Sequence, residues 1–191
     1  MRRLYLARHG ETGWNARRRL QGATDIPLNE DGRAQARSLG GALRLAGIVS
    51  VATSDLTRAR ETGAIAAAVL GRMVTTIDTE LRERSFGVFE GLNREELEAR
   101  FPDEWRAWQT SAVTPPGGEP TELVIVRMKR ALERILAQDG PTLVISHGAA
   151  MRLVLTELGG EPVPPIGNGG IYRVDAESDG SFFLDAWTDD L

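Results

Sequence analysis

Residues 4–15 read LYLARHGETGWN, and this stretch decides the fold class. Leu4 to Ala7 is a short apolar run of the kind that forms a buried strand. It stops at Arg8-His9-Gly10, and no periodicity continues beyond it. Open α/β sheets place their ligand sites at the carboxyl ends of strands, which is where this arginine and histidine stand. Arginine's planar fork of donors suits phosphate or carboxylate. Histidine can serve as nucleophile, acid or base near neutral pH. Gly10 lets the backbone turn and leaves room beside the imidazole. The chain's only other histidine, His147, lies in TLVISHG, a second apolar run ending in His-Gly. Both histidines therefore occupy the same kind of position, which makes them site candidates rather than chance core residues.

Outward from these runs, apolar stretches and helical patterns alternate. Candidate strands cover Leu4–Ala7, Ile48–Thr53, Met73–Ile77, Thr142–Ser146, Ile171–Val174 and Phe182–Ala186. Ala36, Leu39, Leu43 and Ala46 recur at spacings of three and four, as do Val124, Met128, Ala131 and Ile135. Helices are expected near 30–46, 56–70, 119–138 and 149–158, with shorter ones around 93–109. Asn29 is a candidate cap for the first of these, and Ser54 or Asp55 for the second, which Gly71 should end. Such alternation implies a mostly parallel sheet flanked by helices. Glu177-Ser178-Asp179-Gly180 reads as a hairpin turn between the last two strands. The segment 79–118 has no clear strand but several aromatics, and reads as a small cap inserted over the strand ends. The expectation is one domain over 1–191: an α/β three-layer sandwich with a cap at about 79–118.

Composition narrows the function classes. With 191 residues the chain can bury a sizeable core. A net charge of −4 offers no electrostatic case for nucleic acid. No apolar run is long enough to cross a bilayer, and no signal-peptide stretch follows Arg2 and Arg3, so no membrane partner is expected. There are no cysteines, which excludes disulfides and thiolate metal sites and fits a cytoplasmic protein. Two histidines and scattered carboxylates leave no metal site, and Asp185, Asp189 and Asp190 form no ligand loop. Gly167-Asn168-Gly169-Gly170 precedes a strand rather than a helix, so it reads as a turn near the site mouth and not as a nucleotide fingerprint.

Six blocks, in order, make the chain resemble the histidine phosphatase superfamily, also called the phosphoglycerate mutase-like family. They are ARHGETGWN (7–15), LQGATDIPLNEDG (20–32), SDLTRARET (54–62), LRERSFGVFEG (81–91), PGGE (116–119) and VISHGAAMR (144–152). The resemblance implies a metal-free phosphoryl transfer, with no cofactor, through a phosphohistidine. His9 matches the nucleophile, and Arg8 and Arg58 match the residues that grip the phosphoryl oxygens. His147 matches a third donor, protonated while phosphate is bound, with Gly148 beside it. Glu83 matches the proton donor to the leaving group. Asn15, Gln21 and Gly22 match positions near the phosphate, and Arg84 matches a substrate-binding position that would favour a mutase.

Several neighbours take blander readings. Glu11 should make a structural hydrogen bond, because a carboxylate repels phosphate. Glu80 and Glu90 read as surface or cap polar residues, and Arg17-Arg18-Arg19 as a solvated run. Pro120 stands where the family usually has Ser, and is expected in the first turn of its helix. The function this implies is hydrolysis of a small anionic phosphorylated metabolite. The alternatives are a cofactor-dependent phosphoglycerate mutase and a non-catalytic phosphate-binding protein. A homodimer is one expectation for the assembly. Gly91 and Gly117 are 26 positions apart, a shorter cap segment than in the mutases the chain resembles.

Overall fold

A computed structural model describes residues 2–111, 113–177 and 180–187. Six strands form one sheet: β1 (Arg2–Arg8), β2 (Ser50–Thr53), β3 (Val74–Ile77), β4 (Thr142–Ser146), β5 (Ile171–Ala176) and β6 (Phe182–Trp187). Their order across the sheet is β3-β2-β4-β1-β5-β6. The pairings β3/β2, β2/β4 and β4/β1 are parallel. β5 runs antiparallel to both β1 and β6, so one edge of the sheet is a hairpin. Glu177 and Gly180 hydrogen-bond across that turn, whose centre, Ser178-Asp179, lies outside the described residues, as do Asp189 and Asp190.

Side-chain alternation explains the layers. Along β1, Leu4 and Leu6 face one side of the sheet while Tyr5 and Ala7 face the other. Val144 joins the first set, and Leu143 and Ile145 the second. The first face packs on α6 (Thr121–Leu136) and α7 (Gly148–Gly159) through Val124, Met128, Ile135, Met151 and Val154. The second packs on α2 (Glu30–Ala42) and α3 (Thr57–Val69) through Leu39, Ala59 and Ala66. With both faces covered, β4 reads as a continuous apolar run and is buried throughout.

The element ends differ from the sequence expectations in instructive ways. The first long helix stops at Ala42, four residues early, because 43–47 form a tight turn closed by Gly47 at φ 68°. Asn29 does cap it, its Oδ1 accepting from the Gly32 amide at 2.8 Å. For α3 the cap is neither Ser54 nor Asp55. Asp25, from a distant loop, accepts from the Thr57 amide at 2.8 Å, a pairing without any local signature. Pro120 is the residue before α6 rather than part of its first turn.

Two short helices, α4 (Arg94–Arg100) and α5 (Pro102–Ser111), follow a pair of 3₁₀ turns at Thr79–Leu81 and Gly87–Phe89. Phe86, Phe89, Leu92 and Leu97 form a separate core here, covered by Phe101, Trp105 and Trp108. Leu20 and Ala149 pack on it from below and tie it to the sheet end.

Candidate active site

The carboxyl ends of β1 and β4 lie side by side, with the His9 amide donating to Ser146 O at 3.0 Å. That register brings the two histidines, 138 residues apart in sequence, to a ring separation of 5.1 Å. Gly10 is required by close packing: a Cβ there would stand 2.3 Å from the Gly32 carbonyl oxygen. The tight fit of two backbones fixes the turn that carries His9.

His9 is buried, and its Nδ1 lies 2.7 Å from the Gly10 carbonyl oxygen. A carbonyl only accepts, so Nδ1 carries the hydrogen and Nε2 keeps its lone pair. Burial, with the positive charges of Arg58 and Arg8 nearby, holds His9 well below the usual histidine range. It is therefore a neutral imidazole with an unprotonated nitrogen turned toward Arg58.

Arg58, the second residue of α3, is wholly buried. Its Nε donates to His9 Nε2 and to His147 Nδ1, each at 3.2 Å. Its two terminal nitrogens donate to the carbonyls of Thr24 and Gly22, each at 2.8 Å. All four of these partners are neutral, and no described carboxylate pairs with it. Burial lowers its pKa, partly offset by Glu83, Asp25 and Glu90, but a guanidinium remains charged. Arg8 donates to the Ile166 carbonyl at 2.7 Å, while its buried Nε has no partner. His147 accepts from Arg58 at Nδ1, so its hydrogen sits on Nε2, which is also buried and unpartnered. Burial first, then Arg58, holds His147 well below the usual histidine range.

Unsatisfied buried donors each cost about 1–3 kcal/mol. Arg8 Nε–H and His147 Nε2–H are two such donors beside an uncompensated guanidinium. An oxyanion would satisfy all three at once. Asn15 lines the same cavity, its Oδ1 accepting from Thr12 and Asn168.

The cavity has a volume of about 510 Å³. Arg8, His9, Asn15, Gln21, Gly22, Arg58, Glu83, Arg84 and Gly148 all line it, and His147 adjoins both Arg58 and His9. The structure thus gathers every candidate site residue into one place. Phe86 and Trp108 of the cap, with Ile166 opposite, form its apolar wall. Glu83 is pinned at the start of α7: Oε1 accepts from the amides of Arg84 (2.9 Å) and Ala150 (2.8 Å), Oε2 from that of Ala149 (3.1 Å). Arg84 is buried and donates to Glu119 O at 2.8 Å, and no described carboxylate pairs with it. Among the described residues no cluster of three or more His, Cys, Asp or Glu could hold a metal.

Other residues take supporting places. Glu11 accepts from Asn29 at 2.7 Å, a structural bond. Arg17 and Arg18 are exposed, whereas Arg19 leaves the run to pair with Glu96. Asn168, in the glycine-rich turn, donates to the His9 carbonyl at 3.0 Å. Arg127 donates to the carbonyls of Arg82 (2.7 Å) and Glu83 (3.2 Å) and pairs with Glu119, bracing the loop that carries Glu83. Glu80 binds Arg130 and Arg134 on the surface. Glu90 departs from its expected place as a mere surface or cap residue. It is half-buried and accepts from both the floor loop and the cap. Its partners lie up to 67 residues away, beyond the reach of any local pattern.

Known proteins with this arrangement agree. The family model for the histidine phosphatase superfamily (branch 1) matches residues 4–190. "Probable phosphoglycerate mutase GpmB" of Erwinia tasmaniensis is 37% identical over 170 residues, covering 85% of this chain and 77% of its own. A mycobacterial glucosyl-3-phosphoglycerate phosphatase, solved with VO3, superposes with a TM-score of 0.89 at 28% identity, covering 98% of this chain and 99% of its own. The alpha-ribazole phosphatase from Shigella flexneri gives 0.84 at 26%, covering 98% and 96%. Paired strand-end histidines, two buried arginines and a carboxylate facing them carry the same conclusion as the whole-chain match: this chain belongs to the histidine phosphatase superfamily.

Proposed function

We propose that the chain hydrolyses phosphomonoesters of a small metabolite through a phosphohistidine on His9. The observation that carries this reading is the neutral His9 Nε2 set beside the Arg58 guanidinium and two buried donors that an oxyanion would satisfy. In the first step Nε2 attacks phosphorus as the P–O bond to the leaving group breaks. Arg8, Arg58 and His147 stabilise the charge on the three remaining oxygens. Glu83 acts as the general acid that supplies the leaving oxygen's proton. Its Oε2, with a single amide donor, is the oxygen free to exchange one. In the second step water attacks phosphohistidine, Glu83 takes the water's proton, and phosphate leaves His9 neutral again.

A mutase shares the first step and differs in what attacks next. The names of the curated relatives favour that second reading, as does the buried Arg84 on the cavity wall. Hydrolysis is favoured by the short cap and by the phosphatases among the similar structures. A mutase must hold its intermediate away from water until the product turns round. Phosphate release from a panel of phosphorylated metabolites, run beside a 3-phosphoglycerate mutase assay primed with 2,3-bisphosphoglycerate, separates the two. Net phosphate release with little interconversion is expected, unchanged by EDTA. Fast bisphosphoglycerate-dependent interconversion with little free phosphate would overturn the hydrolase reading, and strong loss with EDTA would point to a metal enzyme.

A further inference from the structure

Arg58 has a direction fixed by the protein itself. Its terminal nitrogens are held by two backbone carbonyls, Gly22 O and Thr24 O. Those carbonyls belong to an irregular loop, with no helix or strand to hold them. Besides the turn bond from the Thr24 amide to the Gln21 carbonyl at 3.1 Å, one side chain braces the loop. Glu90 Oε1 accepts from the Ala23 amide at 3.0 Å, and Oε2 from the Thr24 amide at 3.0 Å and the Thr24 hydroxyl at 2.5 Å. The same carboxylate reaches the cap, where Oε1 also accepts from Ser85 Oγ at 3.1 Å and the Phe86 amide at 2.9 Å. Gly22 makes room for it: with φ at 56°, a Cβ there would lie 2.1 Å from Glu90 Oε1.

We infer that Glu90 is a positioning residue for phosphate binding, acting through the 22–24 loop on Arg58 and joining that clamp to the cap wall. The inference rests on the reading of this site as a phosphate site. Two features make Glu90 more than a loop staple. Its negative charge is among those that offset the burial of Arg58, which has no carboxylate partner among the described residues. Its cap partner, Phe86, is also a wall residue of the cavity, so one carboxylate fixes both the phosphate end and the leaving-group end. A glutamine keeps the shape but removes the charge. It also offers an NH2 group to a place where every neighbour is a donor.

The test measures competitive inhibition by inorganic phosphate and by orthovanadate, with p-nitrophenyl phosphate as substrate, in the intact protein. Glu90→Gln should weaken both inhibitors roughly tenfold or more and shift kcat/KM with them, while circular dichroism stays unchanged. Glu96→Gln serves as control: it loosens the Arg19–Glu96 tie of the cap without touching the 22–24 loop, and should leave inhibition as in the wild type. In an Arg58→Ala background, Glu90→Gln should add little, because its effect passes through that arginine. If Glu90→Gln fails to fold, Thr24→Val decides, since it removes one donor to Glu90 and should weaken phosphate in the same direction by a smaller factor. Folded Glu90→Gln with inhibition constants within twofold of wild type would overturn the inference. So would an equal loss in Glu96→Gln, a full additional loss in the Arg58→Ala background, or unchanged inhibition in Thr24→Val when that variant decides. Failure of the wild type to bind either anion would instead bring down the phosphate-site reading on which the inference stands.

Discussion

The floor and the cap of the cavity are built on different physics. The floor stands on the carboxyl ends of β1, β2 and β4, and its side chains are buried charges and imidazoles held by directed hydrogen bonds. The cap has no strand among its described residues; aromatic rings hold it, Phe89 lying about 6 Å from Phe101, Trp105 and Trp108. Geometry and charge decide the floor, whereas apolar area decides the cap. One end should therefore tolerate almost no substitution, and the other should give up stability long before it gives up phosphate.

Arg58→Ala should break the floor most severely. It removes the donor shared by both histidines and leaves two carbonyls unpaired, and kcat/KM should fall about a thousandfold. Steady-state kinetics on p-nitrophenyl phosphate would measure this, and a loss below tenfold would mean the clamp is spread more widely than the structure places it. Glu83→Gln sits at the junction of the two regions. It should slow alkyl phosphates about a hundredfold but p-nitrophenyl phosphate far less, because nitrophenolate leaves without a proton. Equal losses on both would make Glu83 a positioning group.

Leu97→Ala tests the cap. Leu97 is 1% exposed within the aromatic core, so its truncation should cost about 2 kcal/mol or more of stability. Inhibition by phosphate should hardly change, as read by chemical denaturation beside inhibition assays. A collapse of phosphate binding with modest destabilisation would erase the contrast between cap and floor.

The smallest effect is a pH dependence of the empty site. Both histidines are held below their unfolded value, so below about pH 6.5 the unfolded chain binds more protons than the folded one. Their contribution to stability is full above that pH and is lost as pH falls toward the folded values. The limiting slope is about 1.4 kcal/mol per pH unit for each histidine. Thermal melts from pH 8 to 5.5 should show the decline, and saturating phosphate should reduce it, because a bound anion favours the protonated His147. An apo melting temperature that is flat over this range, or one that rises toward low pH, would contradict the neutral histidines.

The same contrast governs what could be read from the sequence. His9 and His147 were legible because each ends an apolar strand run, and a mostly parallel sheet flanked by helices needed only alternating periodicities. Arg58 and Glu83 became legible through motif blocks rather than physics, since nothing local marks them. Asp25 at the start of α3 and Glu90 under the 22–24 loop were not legible. Their partners lie 32 and 67 residues away, and a carboxylate that satisfies distant amides looks in sequence like any solvated one. The aromatics announced a cap, but their packing has no period to betray which ring meets which.

The central claim is that His9 carries the phosphoryl group. Rapid quench of the enzyme with ³²P-labelled substrate tests it most directly. The account predicts label on the protein that is lost in acid, survives alkali, maps to His9 and is absent from His9→Ala, which should turn over slower by several orders of magnitude. Turnover without any trapped label, together with near-normal activity in His9→Ala, would contradict it.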